Sequence, residues 1–192
     1  RLVRFWQEDR EAGGSNVLSP GNFHDLTARV TAFESVAAYT PQFANLVGHG
    51  APVRLEGQQA TVTLFDTLGR RAAMGRTFTS ADHPSMPLVV LAHRAWVTHF
   101  ASDAAIVGRQ INLNGTSHTV IGVMPPDFMF PDRDTEFWAP LELSLAAQGP
   151  GFDDRSNTFL WTVARLRDGR TLEQADAELE AGATELERRF PE

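Results

Sequence analysis

Ile111-Asn112-Leu113-Asn114-Gly115-Thr116-Ser117-His118-Thr119-Val120-Ile121-Gly122-Val123 carries the clearest local signal in the chain. Two strand-like runs meet at Asn114-Gly115, and a type I′ turn needs positive φ at both central positions, which this dipeptide accepts best. The stretch predicts a β-hairpin. Pro125-Pro126 ends the second strand, because proline has no N–H to give to a ladder. Upstream, Leu88–Leu91 predicts a buried strand, and Trp96 and Phe100, four apart, give the next short helix a core face. Downstream, Phe137–Leu141 predicts a further strand, and Ser144–Asn157, rich in Gly and Asp, a connection.

Toward the amino terminus, Ser19-Pro20 reads as an N-cap followed by proline at the first helical position. Phe23, Leu26, Val30, Phe33 and Ala37 continue from it as a helical stripe, with a restart at a Thr31/Glu34 capping box. Phe43–Val47 and Val53–Ala60 flank Gly48-His49-Gly50 as a second hairpin. Thr63 and Asp66 cap a short helix that stops at Leu68-Gly69. Toward the carboxy terminus, Trp161–Leu166 predicts a strand turning at Asp168-Gly169. Thr171 and Gln174 then open a helix with Leu172, Ala175, Leu179, Ala183 and Leu186 on one face. Hairpins are mixed irregularly among βα units, so the fold class is α+β.

Composition removes several classes of function. The 192 residues are 42% hydrophobic and 21% charged, an ordinary globular balance. Seventeen basic against 24 acidic residues give a net charge of −7, which argues against a nucleic-acid partner. The absence of cysteine excludes thiolate catalysis, zinc–cysteine sites and disulfides. The longest apolar run, Leu88–Ala92, is far short of the roughly 20 residues a membrane-spanning helix needs. The chain opens at Arg1 without a start Met or signal peptide, and reads as an excised fragment.

The candidate chemical groups form no recognisable motif. His93 and His99 are six apart and share no helix face, His24-Asp25 point apart, and His118 lies in the hairpin, so solvated histidines are expected. Asp132, Asp134 and Glu136 alternate, with Asp153-Asp154 further on, but lack the glycine and terminal glutamate of a calcium loop. They read as solvated loop acids. There is no Gly-x-Ser-x-Gly elbow and no phosphate-binding loop. Asn114-Gly115-Thr116 is formally a glycosylation acceptor, better explained by its turn chemistry. No catalytic, cofactor-binding or metal residue is expected, and partner-binding residues are not identifiable.

Several stretches in order nonetheless resemble one family. They are Ser19–Leu26, Phe33-Glu34-Ser35-Val36-Ala37-Ala38-Tyr39, Phe65 through Gly69, Gly75-Arg76-Thr77-Phe78, Val89-Val90-Leu91, Trp96 with Phe100, Val107-Gly108-Arg109 and Leu113-Asn114-Gly115. The most specific is Thr119-Val120-Ile121-Gly122-Val123-Met124-Pro125-Pro126-Asp127-Phe128, followed by Phe130-Pro131, Trp138-Ala139-Pro140-Leu141 and Ala164–Gly169. Together, over about residues 17–186, they resemble the MacB-type periplasmic core domain of ABC-transporter permeases. This is the MacB/FtsX-like family, and the likeness is nearest to variants in acidobacterial permeases. Ala72 departs from the proline expected there.

The resemblance implies a non-enzymatic, periplasmic domain of a bacterial inner-membrane protein. It implies a linker from a preceding transmembrane helix at 1–16, a porter-like βαβ-type subdomain from 17–82 and 155–192, and an inserted hairpin-rich (Sabre-like) subdomain at 83–154. Loops at Pro84–Pro87 and Gly149–Gly151 would be the joints. ATP would be used by a separate nucleotide-binding domain, with no cofactor in this chain. The expected partners are that ATP-binding subunit, a second permease copy and a periplasmic adaptor or lipoprotein. The role would be relay of ATP-driven change in efflux or export. A secreted hydrolase and a stand-alone ligand-binding domain are the alternatives.

Overall fold

A computed structural model describes residues 1–9, 14–48, 51–143, 155 and 157–190. In chain order the first elements are β1 (Leu2–Val3), β2 (Gln7–Asp9), β3 (Gly14–Asn16), α1 (Pro20–Thr27), β4 (Phe33–Val47), β5 (Val53–Ala60) and α2 (Leu64–Leu68). There follow β6 (Met74–Gly75), β7 (Leu88–Leu91), α3 (His93–Phe100), β8 (Gln110–Leu113), β9 (Thr116–Val123), β10 (Phe137–Pro140), β11 (Trp161–Leu166) and α4 (Leu172–Arg189). The class is α+β. The chain divides into two compact units, Arg1–Ala38 with Leu143–Glu192, and Tyr39–Glu142.

In the first unit β11 lies between β1 and the start of β4. Leu2 pairs with Arg165 and Val3 with Ala164, antiparallel. Phe5 is buried and stacks on Phe33 at 5.5 Å, while its N–H and carbonyl both engage the Thr162 hydroxyl. Residues expected to be linker are therefore structure: β1 joins the sheet, and Gly14–Asn16 pairs with Gln7–Asp9. The backbone groups of a polar stretch find partners in a short hairpin. Helix α1 begins as read, with the Ser19 hydroxyl accepting from Asn22 N–H at 3.2 Å and Pro20 at its first turn.

The helical stripe does not continue past Thr27. Phe33–Ala37 is strand, and β4 begins ten residues before the expected Phe43. Spacings of three and four at Val30, Phe33 and Ala37 fit a helix, but the hydrogen bonds go to β11 instead. The Thr31/Glu34 box is also absent, since Glu178 of α4 takes the Thr31 groups.

The second unit is a closed ring of strands. Its ladder runs β4-β5-β10-β7-β9, and β8 pairs with both β9 and β4. Strands β4, β5, β10, β7, β9 and β8 thus make a small barrel, with β6 added outside β9. Closure leaves its member strands no open edge. The interior holds Ala44, Leu46, Leu55, Val89, Leu91, Ile111, Leu113, Val120, Val123, Phe137 and Ala139, with Phe100 and Ile106 from outside the strands. Gly57 faces Phe137 in register, and a Cβ there would meet its ring at 2.4 Å, so a missing side chain makes room for a large one. A register shift between Val89 and Val90 places Val120 and Val123, three apart, in the same core. The opposite face of β10 carries Trp138, packed against Phe65 and Phe128 at 5.8 and 5.2 Å.

The unit boundaries differ from those expected. Residues 39–82 group with the inserted segment because β4 and β5 supply two staves of the barrel and β10 lies parallel on β5. Pro84 lies inside this unit, and Gly149–Gly151 lies outside the described residues.

Candidate functional site

One of the acids singled out in the sequence, Glu136, meets one of the histidines, His99, at the end of the barrel where α3 finishes. Glu136 immediately precedes β10; its N–H donates to the Glu56 carbonyl at 2.7 Å and its own carbonyl accepts from Ala92 N–H at 2.8 Å. That backbone placement points the carboxylate at α3. One oxygen lies 3.0 Å from His99 Nε2, and the other accepts from Glu56 N–H at 3.2 Å. Both side chains are largely buried, at 14% and 13% exposure. Arg94, one turn earlier on α3, donates to the Asp134 carbonyl at 2.8 Å and stands 4.0 Å from Glu136. Asp132 folds back on its own loop, accepting from the Asp134 and Thr135 N–H groups and the Thr135 hydroxyl.

Two expectations are corrected here. Glu136 is no solvated loop acid, and His99 is no solvated histidine. The others differ: His24 is exposed, His118 Nδ1 lies 3.0 Å from the Thr116 carbonyl, and His93 meets Trp96 edge-on at 5.4 Å. Asp153 and Asp154 lie outside the described residues. Beside His99 is an open cleft of about 310 Å³, lined also by Leu46, Ala51, Val53 and Thr98. A histidine–carboxylate pair hydrogen-bonded within itself and to the β5 backbone, with Arg94 4.0 Å away as an ionic neighbour, serves to brace α3 against the entry to β10. Among the described residues no three His, Cys, Asp or Glu converge as a metal site.

Further ionic clamps hold each unit. Arg76 grips Asp82 with two bonds of 2.6 and 2.8 Å, and Thr79 adds its N–H and hydroxyl. The guanidinium foremost, and these bonds after it, hold the buried Asp82 carboxyl below the usual carboxylate range. In the first unit Arg155 donates to Asp25 at 2.6 Å and to Asn22 at 2.5 Å, and lies over Phe190 at 3.7 Å. The Arg155 bond lowers the Asp25 pKa. Glu178 accepts from Thr31 N–H at 2.6 Å and Ala32 N–H at 3.0 Å. Burial works to raise its pKa, but those N–H groups, the Thr31 hydroxyl and Arg170 outweigh it and keep Glu178 ionised to lower pH than usual. No local pattern marks Glu178 or Arg155, because their partners lie more than a hundred residues away in sequence.

The family model for the MacB-like periplasmic core domain matches residues 2–181. The chain belongs to the MacB-like periplasmic core domain family. It is a periplasmic domain of a MacB-like ABC-transporter permease. This MacB-like domain shares its fold with the periplasmic region of MacB from Actinobacillus actinomycetemcomitans, at a TM-score of 0.71 and 19% identity, covering 96% of this chain and 83% of that one. It also matches the extracellular domain of the noncanonic ABC-type transporter YknZ from Gram-positive bacteria, at a TM-score of 0.66 and 14% identity, covering 98% and 94%. No curated protein sequence matches it. Among the described residues no helix is long and apolar enough to cross a membrane.

Proposed function

We propose that this MacB-like domain relays ATP-driven conformational change of its permease to cargo or to partner proteins in efflux or export. ATP is hydrolysed by a separate nucleotide-binding domain, and this chain carries no cofactor. Its partners are that domain, a second permease copy and an adaptor or lipoprotein outside the membrane. The observation that carries this reading is the internal bracing of each unit. Within residues 39–142 six strands close a barrel, and the other unit is tied by Glu178 and Arg155 across its long sequence separations. Bodies stiff within themselves transmit displacement instead of absorbing it. The chain passes from one unit to the other only at Ala38/Tyr39 and Glu142/Leu143.

The chain has no cysteine, so paired cysteines can be introduced without background from it. In the parent permease, one cysteine in each unit is crosslinked, the link is confirmed, and ATP binding is checked. The expected result is loss of transport with ATP binding intact, restored on reduction. Transport by the locked permease at the unlocked rate would make the domain a static docking platform.

A further inference from the structure

Two buried polar side-chain atoms on the outer face of the barrel make no hydrogen bond with the chain. The Trp138 indole nitrogen and the Gln58 side-chain oxygen are both shut off from solvent, their residues 0% and 6% exposed. Buried groups of this kind are nearly always bonded, because an orphan gives up its hydration and gains nothing in exchange. The sheet makes these two neighbours. Trp138 of β10 pairs with Gln58 of β5 in a parallel ladder. Leu55, Phe137 and Ala139 lie in the barrel core, so alternation along each strand puts Gln58 and Trp138 together on the opposite face. Paired strands run about 4.8 Å apart, which keeps a donor on one and an acceptor on the next within reach of a common partner.

The side chains packed around Trp138 supply no such partner. Phe65 and Phe128 lie against its ring at 5.8 and 5.2 Å, and Phe78 backs Phe65 at 5.5 Å. Val90 of β7 is its neighbour on the other side in the ladder. None of these side chains carries a nitrogen or oxygen. An indole N–H only donates and an amide oxygen only accepts, so the two orphans are complementary, yet they are not bonded to each other. Whatever joins them must accept from one, donate to the other and fit within close side-chain packing. Water meets all three requirements.

We infer that the outer face of β5 and β10 holds a structural water molecule, which accepts from the Trp138 indole N–H and donates to the Gln58 side-chain oxygen. The water ties the two strands on this face, one residue along from Gly57 and Phe137, which lock the same two strands on the inner face. The site is independent of the relay proposed above: a barrel that holds this water need not move, and a moving one need not hold it.

The test uses the 192-residue chain, isotope-labelled so that the Trp138 indole N–H is assigned through its own backbone. Rotating-frame NMR then looks for magnetisation passing between that hydrogen and water. Expected is a cross-peak of the sign that marks a bound water nearby, distinct from the opposite sign of chemical exchange. Gln58→Leu, which removes the acceptor and keeps an apolar side chain of similar length, should abolish the cross-peak. It should also lower the folding equilibrium constant about ten-fold, because the indole N–H is left without a partner. The unsubstituted chain carries the first result, so the test stands even where Gln58→Leu folds poorly. Absence of the cross-peak from the unsubstituted chain would overturn the inference. An upfield indole signal without it would assign the N–H to the face of Phe65, and a downfield one lost on Gln58→Leu would assign it to a direct bond. A cross-peak that survives Gln58→Leu would also overturn it, by placing the water on other partners.

Discussion

Asn114 and Gly115 sit at φ of 53° and 85°, the left-handed values a type I′ turn requires. Gly115→Val should therefore cost about 1–3 kcal/mol, read as a lower urea midpoint. Asn114 does more than turn. Its side-chain oxygen accepts from Asn45 N–H at 2.8 Å and its amide donates to the Phe43 carbonyl at 3.2 Å, extending the β8–β4 ladder that closes the barrel. Asn114→Gly, harmless to the turn itself, should lose about 1–2 kcal/mol through those two bonds. Gly57 poses the opposite problem. Its substitution by Ala drives a methyl into the Phe137 ring and should cost about 1–3 kcal/mol, with Phe137→Leu in the same chain recovering part of the loss. An unchanged midpoint for Gly57→Ala would mean that the ring yields without cost.

At the scale of elements, α4 carries the most legible sequence. Thr171 accepts from Gln174 N–H while Gln174 reaches back to Thr171 N–H, the reciprocal cap that its spacing announces. Thr171→Ala should cost about 1 kcal/mol in thermal or urea unfolding. The apolar stripe is less faithful: Ala175 and Leu186 are buried, but Leu172 and Ala183 are exposed. Gly182 takes the place of Ala183 in the interface, with Leu26 of α1 only 3.0 Å from where its Cβ would be. A larger residue at Gly182 would push α1 away, so the close approach of two helices, rather than hydrophobicity, sets which residue is buried. The second long element, β4, shows the converse. Phe33 and Ala37 satisfy a helical period, and only the partners waiting on β11 make them strand.

For the whole molecule, carboxylates with lowered pKa values set the response to acid, the exposed Asp127 and Glu173 among them beside three that tie elements together. Asp25, Asp82 and Glu178 have folded pKa values below their usual ones. The folded state therefore binds protons less readily than the unfolded chain. The stability they contribute is fully present above about pH 4–5, where the unfolded carboxylates are ionised, and is lost as pH falls through the lower folded values. The urea midpoint should be flat near neutrality and drop below about pH 4, and Asp82→Asn should lower the neutral midpoint while flattening the acid slope. An acid slope unaltered by Asp82→Asn would remove the Arg76 pair from this response.

Turns, caps and short strands follow from the sequence of this MacB-like domain because their causes are local. Positive φ at Asn114-Gly115, the αL stop at Gly69 and the Thr171/Gln174 box each need only a few neighbouring residues. The α+β class follows from those elements, and ordered local signatures sufficed for the family. The barrel did not follow. Its closure depends on Leu46 meeting Leu113 and on Phe137 pairing with Gly57, contacts whose sequence separation leaves no periodic trace. The same holds for the His99–Glu136 brace and the Glu178 clamp, where each partner alone reads as a surface residue. Burial of a charged group is decided by what the tertiary fold brings to it, because an isolated carboxylate in a sequence has no partner to offset its desolvation.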